Sequence, residues 1–216
     1  MTPIRAVIFD FHATLVDQGD ADEWLDRAVA RAGAGVALDD ADREAVTRRL
    51  DEIWAHAREI DPGSGRDLSA QNHRDVFHGV MDGHVEDDLR HALYEVMLDL
   101  WRAYEEAPGV LAELRRRGLG TAILSNVGVD IRPVIVREGL VADVVVLSCE
   151  VGAVKPDARI FQVALEALDV PATAALMVGD NWADDAAASV LGIRSLILPR
   201  TRGRRHGLDI VLRLAD

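Results

Sequence analysis

Four groups of polar side chains stand at the ends of apolar runs, where a fold could bring them together. Asp10 follows "AVIF", Ser125 and Asn126 close "GTAILSN", and Asp180 follows "ALMVG" with Asp184 and Asp185 just behind. Lys155 sits in "GAVKPDARIF", ahead of a helical pattern. A single aspartate after a strand is often no more than a helix cap. The set taken together points to a different chemistry. A carboxylate can attack phosphorus and form an aspartyl-phosphate, which splits one difficult displacement into two easier ones. Two anions approach only with counter-charge, which Mg²⁺ on oxygen ligands and a lysine supply. The Ser125 hydroxyl and neighbouring backbone amides can hold phosphoryl oxygens, with Asn126 beside them. Asp180 and Asp185 suit a hard cation, whereas Asp184 is either a ligand or a solvated acid at a helix start.

The elements that must position these groups are legible as five short apolar runs. They cover residues 6–10, 120–125, 143–148, 175–180 and 193–198. Each is β-branched or Leu-rich on successive residues and bounded by Gly, Asp or Ser, as in parallel strands covered on both faces. Helical patterns lie between the later runs. "GVLAELRRRG" stops on a glycine, and "DARIFQVALEALD" sets Ile160, Ala164 and Leu168 on one stripe. Such alternation predicts right-handed crossovers and a doubly wound, Rossmann-like parallel sheet, which binds ligands at its carboxyl edge.

The first interval breaks the rhythm. From Val16 to Glu106 no run reads as a strand. A long helix is expected over "DADREAVTRRLDEIWAHAREI", capped by Asp39 or Asp40. A loop follows over residues 61–72, and another amphipathic helix over "EDDLRHALYEVMLDLWRAYEE". The simplest organisation is an α/β core of residues 1–16 and 107–216, with an inserted helical domain over residues 17–106.

Composition narrows the partners. The chain has 216 residues, 49% of them hydrophobic, and a formal charge of -13. That charge argues against nucleic acid or an anionic membrane as partner, though a pocket's local field can still favour a small anion. No apolar run approaches the roughly 18 residues of a membrane helix. The start "MTPIRAVIFDF" turns acidic too soon for a signal peptide. Cys149 is the one cysteine, so no internal disulfide forms, and a cytoplasmic setting is expected.

On these residues the chain resembles the haloacid dehalogenase-like hydrolase superfamily. Its first motif, aspartate, any residue, aspartate, Gly, Thr after an apolar strand, is met by Asp10, Phe11, His12, Ala13 and Thr14. The others are met by Ser125, by Lys155 in "VKPD", and by Gly179 and Asp180 with Asp184 or Asp185. The helical insertion corresponds to the family's cap, which closes over the site and selects the substrate. The resemblance implies Asp10 as nucleophile, Thr14, Ser125 and Asn126 at the phosphoryl group, and Lys155 offsetting charge. It also implies Mg²⁺ on Asp10, Asp180, Asp185 and the backbone carbonyl of residue 12. The expected substrate is a small phosphorylated metabolite.

Two departures stand out. His12 replaces the aspartate that passes a proton to the leaving oxygen and takes one from water. An imidazole with an ordinary pKa of about 6.5 can fill that role, at the cost of a different reach and aim. Ala13 replaces a glycine. Superfamily members that cleave carbon–halogen or carbon–phosphorus bonds also lack an acid at position 12, so these reactions, and a binding-only role, compete with phosphate-ester hydrolysis.

Other residues read as structural. His56, His73, His78, His84 and His91 show no zinc spacing and read as surface or packing side chains, with pocket lining by one or two of them, or by Arg58, Arg66 or Arg74, left open; Trp24, Trp54 and Trp101 are expected to pack the cap helices. Trp182 is expected as a wedge between cap and sheet, and "PRTRGRRHG" over residues 199–207 as a solvated loop.

Overall fold

A computed structural model describes residues 2–33, 35–201 and 203–215; Met1, Ala34, Arg202 and Asp216 lie outside them. Strand β1 (Ala6–Phe9) leads to β2 (Val16–Asp17), and then to helices α1 (Ala21–Ala32), α2 (Asp40–Asp51), α3 (Ile53–Ile60), α4 (Ala70–Met81) and α5 (Asp87–Leu100). Strand β3 (Arg102–Ala103) returns to pair antiparallel with β2, Val16 opposite Ala103, and closes the excursion on itself. Helix α6 (Ala107–Arg116), β4 (Gly120–Ser125), α7 (Arg132–Arg137) and β5 (Val144–Leu147) follow. The chain ends with α8 (Ser148–Val151), α9 (Ala158–Leu168), β6 (Ala175–Gly179), β7 (Arg194–Ile197) and α10 (Ile210–Leu214).

The main sheet has five parallel strands in the order β5-β4-β1-β6-β7. Along β1 the side chains alternate between two cores. Val7 and Phe9 pack with Leu111, Leu114 and Val211 on one face, while Ile8 packs with Ile160, Phe161 and Ala164 on the other. This is why the strands read as unbroken apolar runs. The succession of strands reverses around central β1, and the crevice at its carboxyl end lies between β4 and β6. Asp10, Ser125 and Asp180 all stand there.

The inserted helices have a core of their own, built around Trp24, Leu50, Ile53, Phe77, Met81 and Leu93. Several expectations are corrected within it. The helix expected over residues 40–60 is broken at Glu52, whose φ of -105° and ψ of 11° leave the helical run. Leu50 and Ile53 stay buried on either side of the joint, so the apolar stripe continues while the backbone turns. Asp39 is the cap of α2, accepting from the Asp42 amide at 2.8 Å. Helix α5 stops at Leu100 because the next residues extend to meet β2. Strands β2 and β3 are two residues each, too short for any period to show. Part of the expected loop over residues 61–72 is a 3-10 turn at Gly65–Asp67, and α4 begins behind the Ser69 cap. Among the described residues no helix is long and apolar enough to cross a membrane.

Candidate active site

Asp10 is the first residue past β1, and its amide donates to the Val178 carbonyl at 2.8 Å, so sheet pairing holds its backbone. Lys155, carried by the loop between α8 and α9, is buried with its Nζ 2.6 Å from Asp10 Oδ1 and 2.6 Å from Asp185 Oδ1. Asn126 explains how the lysine arrives: its side-chain amide donates to the Lys155 carbonyl at 3.0 Å and accepts from the Lys155 amide at 2.7 Å. The side chain expected at the phosphoryl group thus fixes the lysine's main chain, although the residue lines the cavity. Thr14 likewise braces a neighbour in the site. It is fully buried and donates to Asp10 Oδ2 at 3.2 Å.

The third strand end works through a glycine. A Cβ on Gly179 would stand 2.1 Å from Asp185 Oδ2, so only a bare backbone lets Asp185 fold back beside the strand. There Asp185 accepts from the Asn181 amide at 3.0 Å and is wholly buried. Asp184 turns aside to accept from Asn181 Nδ2 at 2.6 Å. Carboxylate oxygens of Asp10, Asp180 and Asp185 lie within 4.8 Å of one another, an all-oxygen cluster that could hold a hard metal ion.

Burial pushes the Asp10 and Asp185 carboxyls up from their ordinary values, and the Lys155 ammonium opposes it in both. Burial also disfavours the lysine's charge, but the two carboxylates outweigh it and hold the ammonium above the ordinary lysine range. Lys155 therefore favours the ionised form of the nucleophile candidate.

His12 sits between two indoles. Its ring centroid is 5.1 Å from that of Trp101 and 6.2 Å from that of Trp54. Desolvation pushes it down to about 3, with Arg200 and Arg58 adding to the shift, so the ring is neutral at physiological pH. Its Nε2 is buried and meets no protein hydrogen-bond partner among the described residues. Ala13, next in the chain, takes the left-handed conformation at φ 61°, which the usual glycine would adopt without strain.

These groups line a cavity of about 420 Å³. Ser125 stands on its core side; the inserted helices contribute Trp54, Arg58, Arg66, Asp67 and His73. A second cavity of about 950 Å³ adjoins the first, and His12, Trp54, Arg58 and Arg200 belong to both walls. Burial raises Asp67 to about 6, against the pull of Arg66, and lowers His73 to about 4. The cap meets the core where Ser148 Oγ donates to the Asp67 carbonyl at 2.5 Å.

Sequence reasoning missed three features. Trp54 and Trp101 flank His12, and Trp101, expected among the cap helices, packs instead in the sheet core with its ring centroid 5.9 Å from that of Phe11; an indole at core spacing looks the same in either role. Trp182 is 77% exposed and no wedge. The basic run is not simply solvated, since Arg200 reaches Asp180, whose side chain is little exposed, with Nε at 2.5 Å from Oδ2; Arg202 of that run lies outside the described residues.

A family model described as haloacid dehalogenase-like hydrolase matches residues 4–192. The chain belongs to that family. A phosphoserine phosphatase of Thermus thermophilus is 44% identical over 101 residues, or 45% of this chain and 41% of that protein, so the match spans under half of the relative. An (S)-2-haloacid dehalogenase of Pseudomonas sp. is 28% identical over 206 residues, 93% of this chain and 86% of its own. A solved L-2-haloacid dehalogenase superposes with a TM-score of 0.70 at 20% identity, over 94% of this chain and 88% of its own, a likeness of fold.

Proposed function

We propose that the chain hydrolyses small phosphate monoesters with Mg²⁺, through an aspartyl-phosphate on Asp10. One observation carries this reading: three carboxylates packed within 4.8 Å, with a buried lysine between two of them. Dehalogenation within this family proceeds without metal, whereas three packed carboxylates carry more negative charge than the protein's own cations beside them offset, a surplus that a divalent cation meets. The relative with phosphoserine phosphatase activity in its name is consistent with the same chemistry.

In this reading the Asp10 carboxylate attacks phosphorus, forming one P–O bond as the bond to the leaving oxygen breaks. Lys155 keeps Asp10 ionised and offsets charge as it moves. Ser125 holds a phosphoryl oxygen, and Thr14 orients Asp10 from behind. As imidazolium, His12 gives a proton to the leaving oxygen, and the neutral ring left behind takes one from the water that releases phosphate. Asp10, Asp180, Asp185 and the His12 carbonyl would hold Mg²⁺, which when bound offsets charge on the transferred group. The cap excludes water while this happens. The partner is a small phosphorylated metabolite, since nucleic acid and anionic membrane are repelled by a charge of -13.

His12 favours a second reading. A neutral ring lowered to about 3 is a weak proton donor, and cleaving a carbon–halogen bond needs none, because halide leaves unprotonated. One experiment separates the two. Turnover of a chromogenic phosphate monoester in Mg²⁺, abolished by EDTA and by Asp10→Asn, supports the phosphatase. Hydrolysis of 2-chloropropionate in EDTA overturns it in favour of the dehalogenase.

A further inference from the structure

The basic loop after β7 delivers one arginine to the acidic cluster, and its placement follows from the sheet. Leu198 extends β7 by donating to the Gly179 carbonyl at 2.9 Å, directly before Asp180. The loop is then held at both ends. His206 brings its ring nitrogens within 3.1 Å of the Thr14 and Pro199 carbonyls, and the Tyr104 hydroxyl donates to the Thr201 carbonyl at 3.4 Å. Arg200 is therefore aimed at Asp180, whose side chain is only 5% exposed, while the guanidinium itself is half exposed.

Lys155 neutralises Asp10 and Asp185 but makes no ion pair with Asp180. Asp180 has Arg200 in that place. We propose that Arg200 is a built-in counter-cation that competes with the divalent metal for Asp180, a role that rests on the metal reading above. With Arg200 on Asp180 the three acids face two cations, so the cluster tolerates the metal-free state. A dication arriving on the same carboxylate meets a guanidinium a few ångströms away, and either displaces it or binds against its charge. Metal affinity is thereby held below what three carboxylates alone would give. Half exposure and membership of both cavity walls give the arginine room to leave.

The test is calorimetric titration of EDTA-stripped protein with MgCl₂, alongside the rise in melting temperature that Mg²⁺ induces. Arg200→Gln removes the charge and Arg200→Lys keeps it. The expected result is Mg²⁺ binding roughly tenfold tighter, or more, in Arg200→Gln, with affinity near wild type in Arg200→Lys. The glutamine variant also melts lower without metal and gains more from Mg²⁺. Equal or weaker binding in Arg200→Gln overturns the competition while the metal reading stands. Equal tightening in both variants also overturns it, because loop geometry and not charge would then be responsible. If the wild type binds no Mg²⁺, the metal reading falls, and this inference with it.

Discussion

Gly128 and Arg66 meet across the seam between core and cap so closely that a Cβ on Gly128 would stand 2.1 Å from the Arg66 carbonyl oxygen. The same atom would lie 2.6 Å from the Ser69 carbonyl oxygen and 2.8 Å from the His73 Cβ, so backbone on one side must yield. Gly128→Ala is expected to lift this loop from the core and loosen the roof carrying Arg66, Asp67 and His73. KM should rise more than kcat falls, and urea unfolding should show about 1–3 kcal/mol of lost stability. An alanine variant with wild-type KM and stability would mean the seam is slack.

Ala13 gives a prediction of opposite sign. Its φ of 61° is costly for any residue with a Cβ, by about 1–2 kcal/mol, while glycine gives back part of the gain through its freer unfolded chain. Ala13→Gly should therefore stabilise the protein by up to about 1 kcal/mol, read as a higher urea midpoint at unchanged slope.

Asp67 sets a pH dependence. Its folded-state pKa of about 6 lies above the ordinary 3.8, so between these values the folded chain holds a proton that the unfolded chain has lost. Its contribution is complete below about pH 4 and is lost as pH rises through 6. Asp67→Asn should abolish that loss. The variant should gain on the order of 2–3 kcal/mol over wild type at pH 7.5 and almost nothing at pH 4. Equal gains at both pH values would show that the carboxyl's charge is not the cause.

His12 can be tested by restoring the acid. His12→Asp is expected to speed release of phosphate, by up to about 10²-fold where proton transfer limits the rate. The rise will be smaller if the indoles of Trp54 and Trp101 hold the shorter side chain out of reach. A fall in turnover would place the histidine outside the proton path.

Much of the sheet and its carboxyl edge was legible, because strands buried on both faces leave unbroken apolar runs and the residues that follow them are fixed by the chain. Gly179 and Asp185 are legible as parts of a motif, whereas the reason for the glycine, a side chain folded back against it, shows only in the structure. What stayed hidden depends on contacts between distant segments. Nothing in the spacing of Trp54 within α3 shows that it faces His12. The helix break at Glu52 leaves the apolar stripe intact, so periodicity passes over it. Arg200 looked solvated because its neighbours are basic, yet strand pairing carries it to Asp180. The motif places Thr14 and Asn126 at the phosphoryl group, but it does not show the hydrogen bonds by which they also brace Asp10 and the Lys155 main chain.

The most direct measurement is intact-protein mass spectrometry of enzyme quenched in acid during turnover of a phosphate monoester with Mg²⁺. The account predicts a species heavier by one phosphoryl group, mapped to the peptide containing Asp10, absent in EDTA and absent in Asp10→Asn. Steady turnover with no adduct at Asp10, or an adduct that persists in Asp10→Asn, would contradict it.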